Sequence, residues 1–405
     1  MEKINHSFFG LGIAPKITDI LARLKFQHAT PIQHQAIPLA LEGKDLMGVA
    51  QTGTGKTMAF AIPTVQRLAH DNNGKALVVV PTRELALQVD ESFVKIARPF
   101  GLKTAVLIGG ESIHHQLRAL SLQPRILIAT PGRLIDLMEQ RKVHLRDVRI
   151  LVLDEADRMF DMGFAPQIEV ILKALPTERQ TLLFSATMPA PIITIVKRHM
   201  RMPISVEIAP TGTKAEKVTH ELFIVKGEMK RALLEKLLYQ FRGSVLLFCR
   251  TKISAHRLTS ALRQSGHNTA EIHSDKSLSQ RREALEGFKK GKYRILVATD
   301  IAARGIDVKG IELVINYDLP DDAENYVHRI GRTGRAGVTG HAISIATSDQ
   351  RDDVAKIERL INATLPISQH PEIPSETFAP KIKQTYRYSY KSLRPRGNFR
   401  GRRRR

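Results

Sequence analysis

The stretch Leu46-Met47-Gly48-Val49-Ala50-Gln51-Thr52-Gly53-Thr54-Gly55-Lys56-Thr57 decides the fold of this chain. A short apolar run enters a glycine-rich turn, and residues 58–68 continue in a helical pattern. Strand, glycine-rich turn and helix is the context in which a loop cradles phosphate. Glycines let backbone N–H groups close on phosphate oxygens, and the N-terminus of the following helix favours an anion. Ala50, Gln51, Thr52, Gly53, Thr54 and Gly55 form that loop, Lys56 reaches the β and γ phosphates, and Thr57 is placed to ligate Mg²⁺. The one departure from GxxxxGKT is Ala50 at the first glycine.

Working outward, short apolar runs recur at 76–80, 105–108, 125–129, 150–153 and 181–184. Each is bounded by Pro, Gly, Thr or charge, which suits buried strands of a parallel sheet. Helical patterns such as 84–97 and 166–175 lie between them, so strand and helix alternate as in a doubly wound α/β domain. Residues 208–217 carry Pro and Gly in a polar context and read as a linker. The rhythm then resumes with runs at 244–248, 269–272, 294–298, 313–316 and 342–346. The expectation is two tandem α/β domains, 1–207 and 218–368, each a mostly parallel sheet with helices on both faces. From 369 onward Pro371, Pro374 and Pro380 break the pattern, and residues 369–405 read as a basic tail, disordered when free.

The run 150–153 leads directly into Asp154-Glu155-Ala156-Asp157. This puts carboxylates at the C-terminal end of a buried strand, where open α/β sheets bind ligands. Asp154 is placed to hold Mg²⁺ through water. Hydrolysis also needs a group that orients and deprotonates water for in-line attack, and Glu155 is next to the metal ligand.

Bulk properties agree. The 405 residues carry a formal charge of +22 and a pI near 10.2, which favours a polyanionic partner. No apolar run reaches the roughly 18 residues of a membrane span, so nucleic acid is preferred to a lipid surface. The single cysteine, Cys249, excludes an intramolecular disulfide and fits a reducing compartment. The start MEKINHSFFG lacks the apolar core of a signal peptide, and a cytoplasmic protein is expected.

The letters D-E-A-D at 154–157, with the phosphate loop, make the chain similar to the DEAD-box ATP-dependent RNA helicases of superfamily 2 over about residues 7–347. The resemblance implies two RecA-like domains that bind ATP and Mg²⁺ and close on RNA. It implies a Q motif at 7–35, in which Gln33 reads the adenine edge and Phe8 and Phe26 pack around the base. It assigns RNA-backbone contacts to Pro81, Thr82 and Arg83, to the Gly109-Gly110 pair, and to Thr130, Pro131, Gly132 and Arg133. Arg250, Arg281 and Thr299 are their counterparts in the second half. Asp157, Ser185, Thr187 and His328 are implied to couple the nucleotide site to strand separation.

The second half has no phosphate loop, so it is expected to complete the first half's site. Residues 298–307 resemble motif V, with Gly305 and Asp307 toward the nucleotide, and 328–335 resemble motif VI, with Arg332 and Arg335 as arginine fingers. One position departs from the family: its QxxR motif is here Leu278-Ser279-Gln280-Arg281, with Leu278 replacing the glutamine. The compact core with a short basic tail looks most like the bacterial RhlE-type branch, linked to ribosome assembly and RNA turnover, so ribosomal RNA precursors and RNA-decay machinery are expected partners. In the tail, Lys381, Lys383, Arg387, Lys391 and the arginines from 394 onward are interleaved with Tyr386, Tyr388, Tyr390 and Phe399. Charge attracts phosphates while aromatic faces stack bases. The alternatives are a DNA-directed helicase of the same superfamily and an ATP-controlled RNA clamp.

Overall fold

The computed structural model describes residues 7–51, 53–208, 218–303, 308, 310–334 and 340–379. The first half forms a sheet from β1 (Leu46–Val49), β2 (Lys75–Val79), β3 (Thr104–Leu107), β4 (Ile126–Ala129), β5 (Val148–Leu153), β6 (Gln180–Ser185) and β7 (Ile204–Glu207). The second half uses β8 (Val218–Ile224), β9 (Val245–Cys249), β10 (Thr269–Ile272), β11 (Ile295–Thr299), β12 (Leu313–Asn316) and β13 (Gly340–Ala346). The strand orders are β3-β4-β2-β5-β6-β1-β7 and β10-β11-β9-β12-β13-β8. Every strand pairing is parallel. Each half is therefore a doubly wound α/β sheet.

Apolar runs without alternation form these strands because both faces are covered. In β2, Ala76 and Val78 enter the apolar cluster on one side of the sheet, while Leu77 and Val79 enter the cluster on the other. That leaves no polar face to show in the sequence. The first half packs tightly around Phe60, whose ring lies 6.1 Å from Phe93 and 5.5 Å from Phe184. Gly48 of β1 is opposite Phe184 of β6, and a Cβ built on it would sit 2.5 Å from that ring.

Two strands lie outside the runs picked out by composition, β7 and β8, and both are sheet edges. Their burial is broken rather than continuous, so no uninterrupted apolar run marks them. The tail boundary also moves. Residues 369–379, expected as tail, lie along the second sheet: Glu376 donates its N–H to Ile224 O at 2.8 Å and Ala379 to Ser348 O at 2.9 Å. Ile373 is buried in the apolar cluster on one side of that sheet, and Phe378 packs against the cluster on the other. The prolines there end periodic structure, but they leave enough donors to use the open backbone of edge strand β8. Residues 209–217 of the expected linker and 380–405 of the expected tail lie outside the described residues.

The two halves touch through helix Leu278–Lys289 of the second. Arg281 is ion-paired with Glu84 at 3.0 Å, both buried, and Arg282 with Glu111 at 3.1 Å. Leu278 is buried and joins the apolar cluster of the first half.

Replacing Gly48 by Val forces two side chains into the space of one. Chemical denaturation should show the first half less stable by about 1–3 kcal/mol; an unchanged midpoint would mean that the Phe184 ring yields freely.

Candidate ATP and RNA site

The turn after β1 is built by two residues in the left-handed region, Gly53 (φ 80°) and Gly55 (φ 94°). Gly55 precedes helix Lys56–His70, and a Cβ there would sit 2.5 Å from the Gln33 amide nitrogen. Only glycine meets both constraints. Gln33 is buried: its Nε2 donates to Gly55 O at 3.0 Å, and its Oε1 accepts the Thr30 N–H at 2.9 Å. The side chain expected to read adenine thus also pins the phosphate loop, and it keeps one N–H and one lone pair for a base edge. Thr54 Oγ1 closes the loop onto Gln51 O at 2.7 Å. Lys56 is buried at the helix start, and Ala50 is core, its N–H donating to Ser185 O at 2.9 Å. Phe8 is also core, while Phe26 is 38% exposed. Thr52 lies outside the described residues.

The carboxylates sit where β5 ends. Asp154, Glu155 and Asp157 are all buried. Burial pushes the Asp154 carboxyl up to about 7 against the pull of Lys56, with Glu155 adding to the rise. Burial acts on Glu155 in the same sense, but Arg158, then Lys56 and Arg332, hold it below the ordinary glutamate range. Two neighbouring buried acids are thereby pushed apart in acidity, as expected where they take different roles. Glu155 also adopts a left-handed backbone (φ 52°), rare for a residue with a side chain.

Asp157 faces β6. Its Oδ2 accepts the N–H groups of Ala186 and Thr187, both at 2.9 Å, and the Thr187 hydroxyl at 3.2 Å. Its own N–H donates to Ser185 Oγ at 3.1 Å. The acidic turn and the strand end at 185–187 therefore move as one piece.

The expected RNA contacts form turns on the same side. Thr82 caps helix Arg83–Ala97 by accepting the Leu85 N–H at 3.2 Å. The Arg83 guanidinium lies against Gly109 and Gly110, the latter at φ 74°, where any side chain would collide with it. Pro81 is buried, Thr130 precedes helix Pro131–Glu139, and Gly132 faces open space. Arg133 is 3.7 Å from Asp136. In the second half Arg250 is held by Asp321 at 3.1 Å, Arg281 by Glu84, and Thr299 ends β11 half-buried.

His328 and Arg332 of the second half face Arg158 of the first across a small shared cavity. Burial, with Arg158 adding to it, pushes the His328 imidazole down to about 4, so it is neutral at pH 7. Gly305, Asp307 and Arg335 lie outside the described residues. Three residues to which the sequence gives no role of their own prove to be buried charges. They are Glu84, Arg158, and Arg329, which holds Asp300 at 2.6 and 2.7 Å and Asn316 at 3.1 Å. Their spacing relative to the acids they meet was the available signal for only one, Arg158 three residues after Glu155.

Residues 30–195 match the DEAD/DEAH box helicase family and residues 229–337 the helicase conserved C-terminal domain. The chain belongs to the DEAD-box family of ATP-dependent RNA helicases. It is 44% identical to the DEAD-box ATP-dependent RNA helicase CshA of Bacillus licheniformis, over 87% of this chain and 73% of that one. It is 41% identical to the ATP-dependent rRNA helicase RRP3 of Meyerozyma guilliermondii, over 91% and 78%. Among solved structures it is similar to S. cerevisiae Dbp5 bound to RNA and ADP BeF3, with TM-score 0.80 and 28% identity, covering 90% of this chain and 95% of that one. The match spans both halves at once, so this DEAD-box helicase has its two sheets disposed as in an RNA- and nucleotide-bound relative. Among the described residues no helix is long and apolar enough to cross a membrane.

Removing Gln33 leaves the half-buried Thr30 N–H without this acceptor and takes one of two donors from the Gly55 carbonyl, which keeps the Ala59 N–H. Gln33→Ala should raise KM for ATP by about 5- to 30-fold, the equivalent of one to two lost hydrogen bonds, in a steady-state ATPase titration; an unchanged KM would mean that the loop holds itself.

Proposed function

We propose that this helicase runs an RNA-stimulated ATPase cycle in which its two RecA-like domains, 1–207 and 218 to at least 379, close on a strand of RNA and separate a short duplex locally. The observation that carries the reading is the convergence on Glu155 of cations from both halves, Lys56 from its own and Arg332 from the other. A site assembled only on closure hydrolyses only when both halves meet.

Gln33, with Phe8 and Phe26, selects adenine, and residues 50–57 wrap the phosphates. The donor set suits Mg²⁺: a hard carboxylate, Asp154, which burial pushes up to about 7 despite Lys56, and the Thr57 hydroxyl next in sequence to Lys56. Asp154 and Thr57 would hold the ion, which would offset the negative charge of the phosphates. Glu155, held ionised, accepts a proton from the attacking water. Arg332 and Arg335 stabilise the charge that develops on the γ-phosphate, while Gly305 and Asp307 face the nucleotide. Asp157, Ser185, Thr187 and His328 couple that chemistry to the RNA side, where the backbone is held by Pro81, Thr82, Arg83, Gly110, Thr130, Pro131, Gly132 and Arg133 with Arg250, Arg281 and Thr299.

Such contacts read backbone rather than bases, so the substrate class is structured RNA. The likeness to an rRNA helicase supports ribosomal RNA precursors as the substrate, with RNA turnover as the second setting. A single buried cysteine and no possible intramolecular disulfide support a cytoplasmic place of work.

Glu155→Gln should still bind ATP and RNA, while RNA-stimulated turnover falls by about 100-fold or more; turnover within about twofold of the parent would remove Glu155 from the role of base. Deleting 381–405 should weaken RNA binding and flatten its dependence on salt while leaving KM for ATP unchanged, since fewer phosphate contacts release fewer counterions. An identical salt slope would exclude the tail from RNA binding.

A further inference from the structure

Arg158 stands three residues after Glu155, so the start of helix Ala156–Asp161 brings both side chains to one face. Its side chain is 2% exposed, among the most buried of any charged residue here. A guanidinium offers five N–H donors, and leaving them unused in a buried place is costly. Yet among the described residues Arg158 has one acidic partner: Nη1 donates to Glu155 Oε2, while Nε and Nη2 have no hydrogen-bond partner there. The other nearby acids are committed. Asp157 is taken by the 185–187 turn, and Asp300 by Arg329. From the far side the cavity presents His328, Arg329 and Arg332, none of which offers negative charge.

A buried ion pair of this kind adds little to stability compared with apolar side chains of the same size. Its effect is geometric. Arg158 takes one carboxylate oxygen and leaves Oε1 without a donor among the described residues. The left-handed backbone of Glu155 fixes where the side chain starts, and Arg158 fixes where it ends.

We infer that Arg158 is a positioning residue for ATP hydrolysis: it clamps Oε2 of Glu155 so that Oε1 points at the place where the attacking water must stand, and it does so from the seam where the second half closes. The inference rests on Glu155 being the base. Orientation of this kind acts on turnover rather than on affinity, because a loosened carboxylate leaves substrate contacts intact.

The test compares Arg158→Met, Arg158→Lys, Glu155→Gln and the Arg158→Met/Glu155→Gln double variant in RNA-stimulated ATPase assays, with ATP-dependent RNA binding measured alongside. Arg158→Met should lower kcat by about tenfold or more while KM for ATP and RNA affinity stay within about twofold, and Arg158→Lys should lie between Met and the parent. The double variant should be no slower than Glu155→Gln alone, since Arg158 acts through Glu155. If Glu155→Gln is slow but Arg158→Met turns over like the parent, the positioning role is wrong and the base assignment stands. The positioning role is equally excluded if KM and RNA affinity collapse together with kcat in both Arg158 variants, or if the double variant loses the full factor again. If Glu155→Gln turns over like the parent, the base assignment fails and takes this role with it.

Discussion

Three carboxylates buried within four residues at the end of one strand are the constraint on which this molecule depends. Asp154, Glu155 and Asp157 cannot stay charged in that place without cations or N–H donors. Each acid finds a different solution. Asp157 is met by the backbone and hydroxyl of the next strand's end, Glu155 by Arg158, Lys56 and Arg332, and Asp154 by Lys56 and the Glu155 N–H, which do not suffice to keep its carboxyl acidic. That carboxyl sits at the end of β5 and feels the charge of Lys56 at the start of the helix that follows the glycine-rich turn. Part of the compensation for Glu155 comes from the other half of the chain, so the electrostatics of one carboxylate register whether the halves have met.

The same logic extends toward the RNA side. Helix Arg83–Ala97 carries one face of both surfaces: Arg83 packs on Gly109 and Gly110, and the adjacent Glu84 receives Arg281 from the second half. A turn expected to hold backbone phosphates is thus one residue away from an interdomain ion pair.

Much of this was legible in the sequence, and the gaps share a physical cause. The inner strands read as unbroken apolar runs because helices cover both faces of each sheet, and the phosphate loop and acidic turn are local in sequence. The edge strands β7 and β8 escaped because only part of each is covered, and 369–379 because prolines erase periodicity while leaving the backbone free to dock. Gln33 was read as an adenine contact, but its bond to Gly55 spans 22 positions and no local pattern reveals it. Arg158 and Arg329 carried no role of their own in the sequence, since their burial is set by the fold and not by neighbours in the chain.

Leu278 is the sharpest case of the same limit. Against the family pattern it reads as a polar group replaced by an inert one. In the folded chain it is buried in the apolar cluster of the first half, beside the Arg281–Glu84 pair. A glutamine at that position would have to be hydrogen-bonded on closing, whereas a leucine contributes about 1.5–3 kcal/mol by leaving water. Apolar burial is non-directional and tolerates small differences in docking angle, so orientation at this seam falls to Arg281 and Glu84, and Leu278 supplies adhesion. The substitution therefore divides two tasks between neighbouring residues, adhesion on one and alignment on the other.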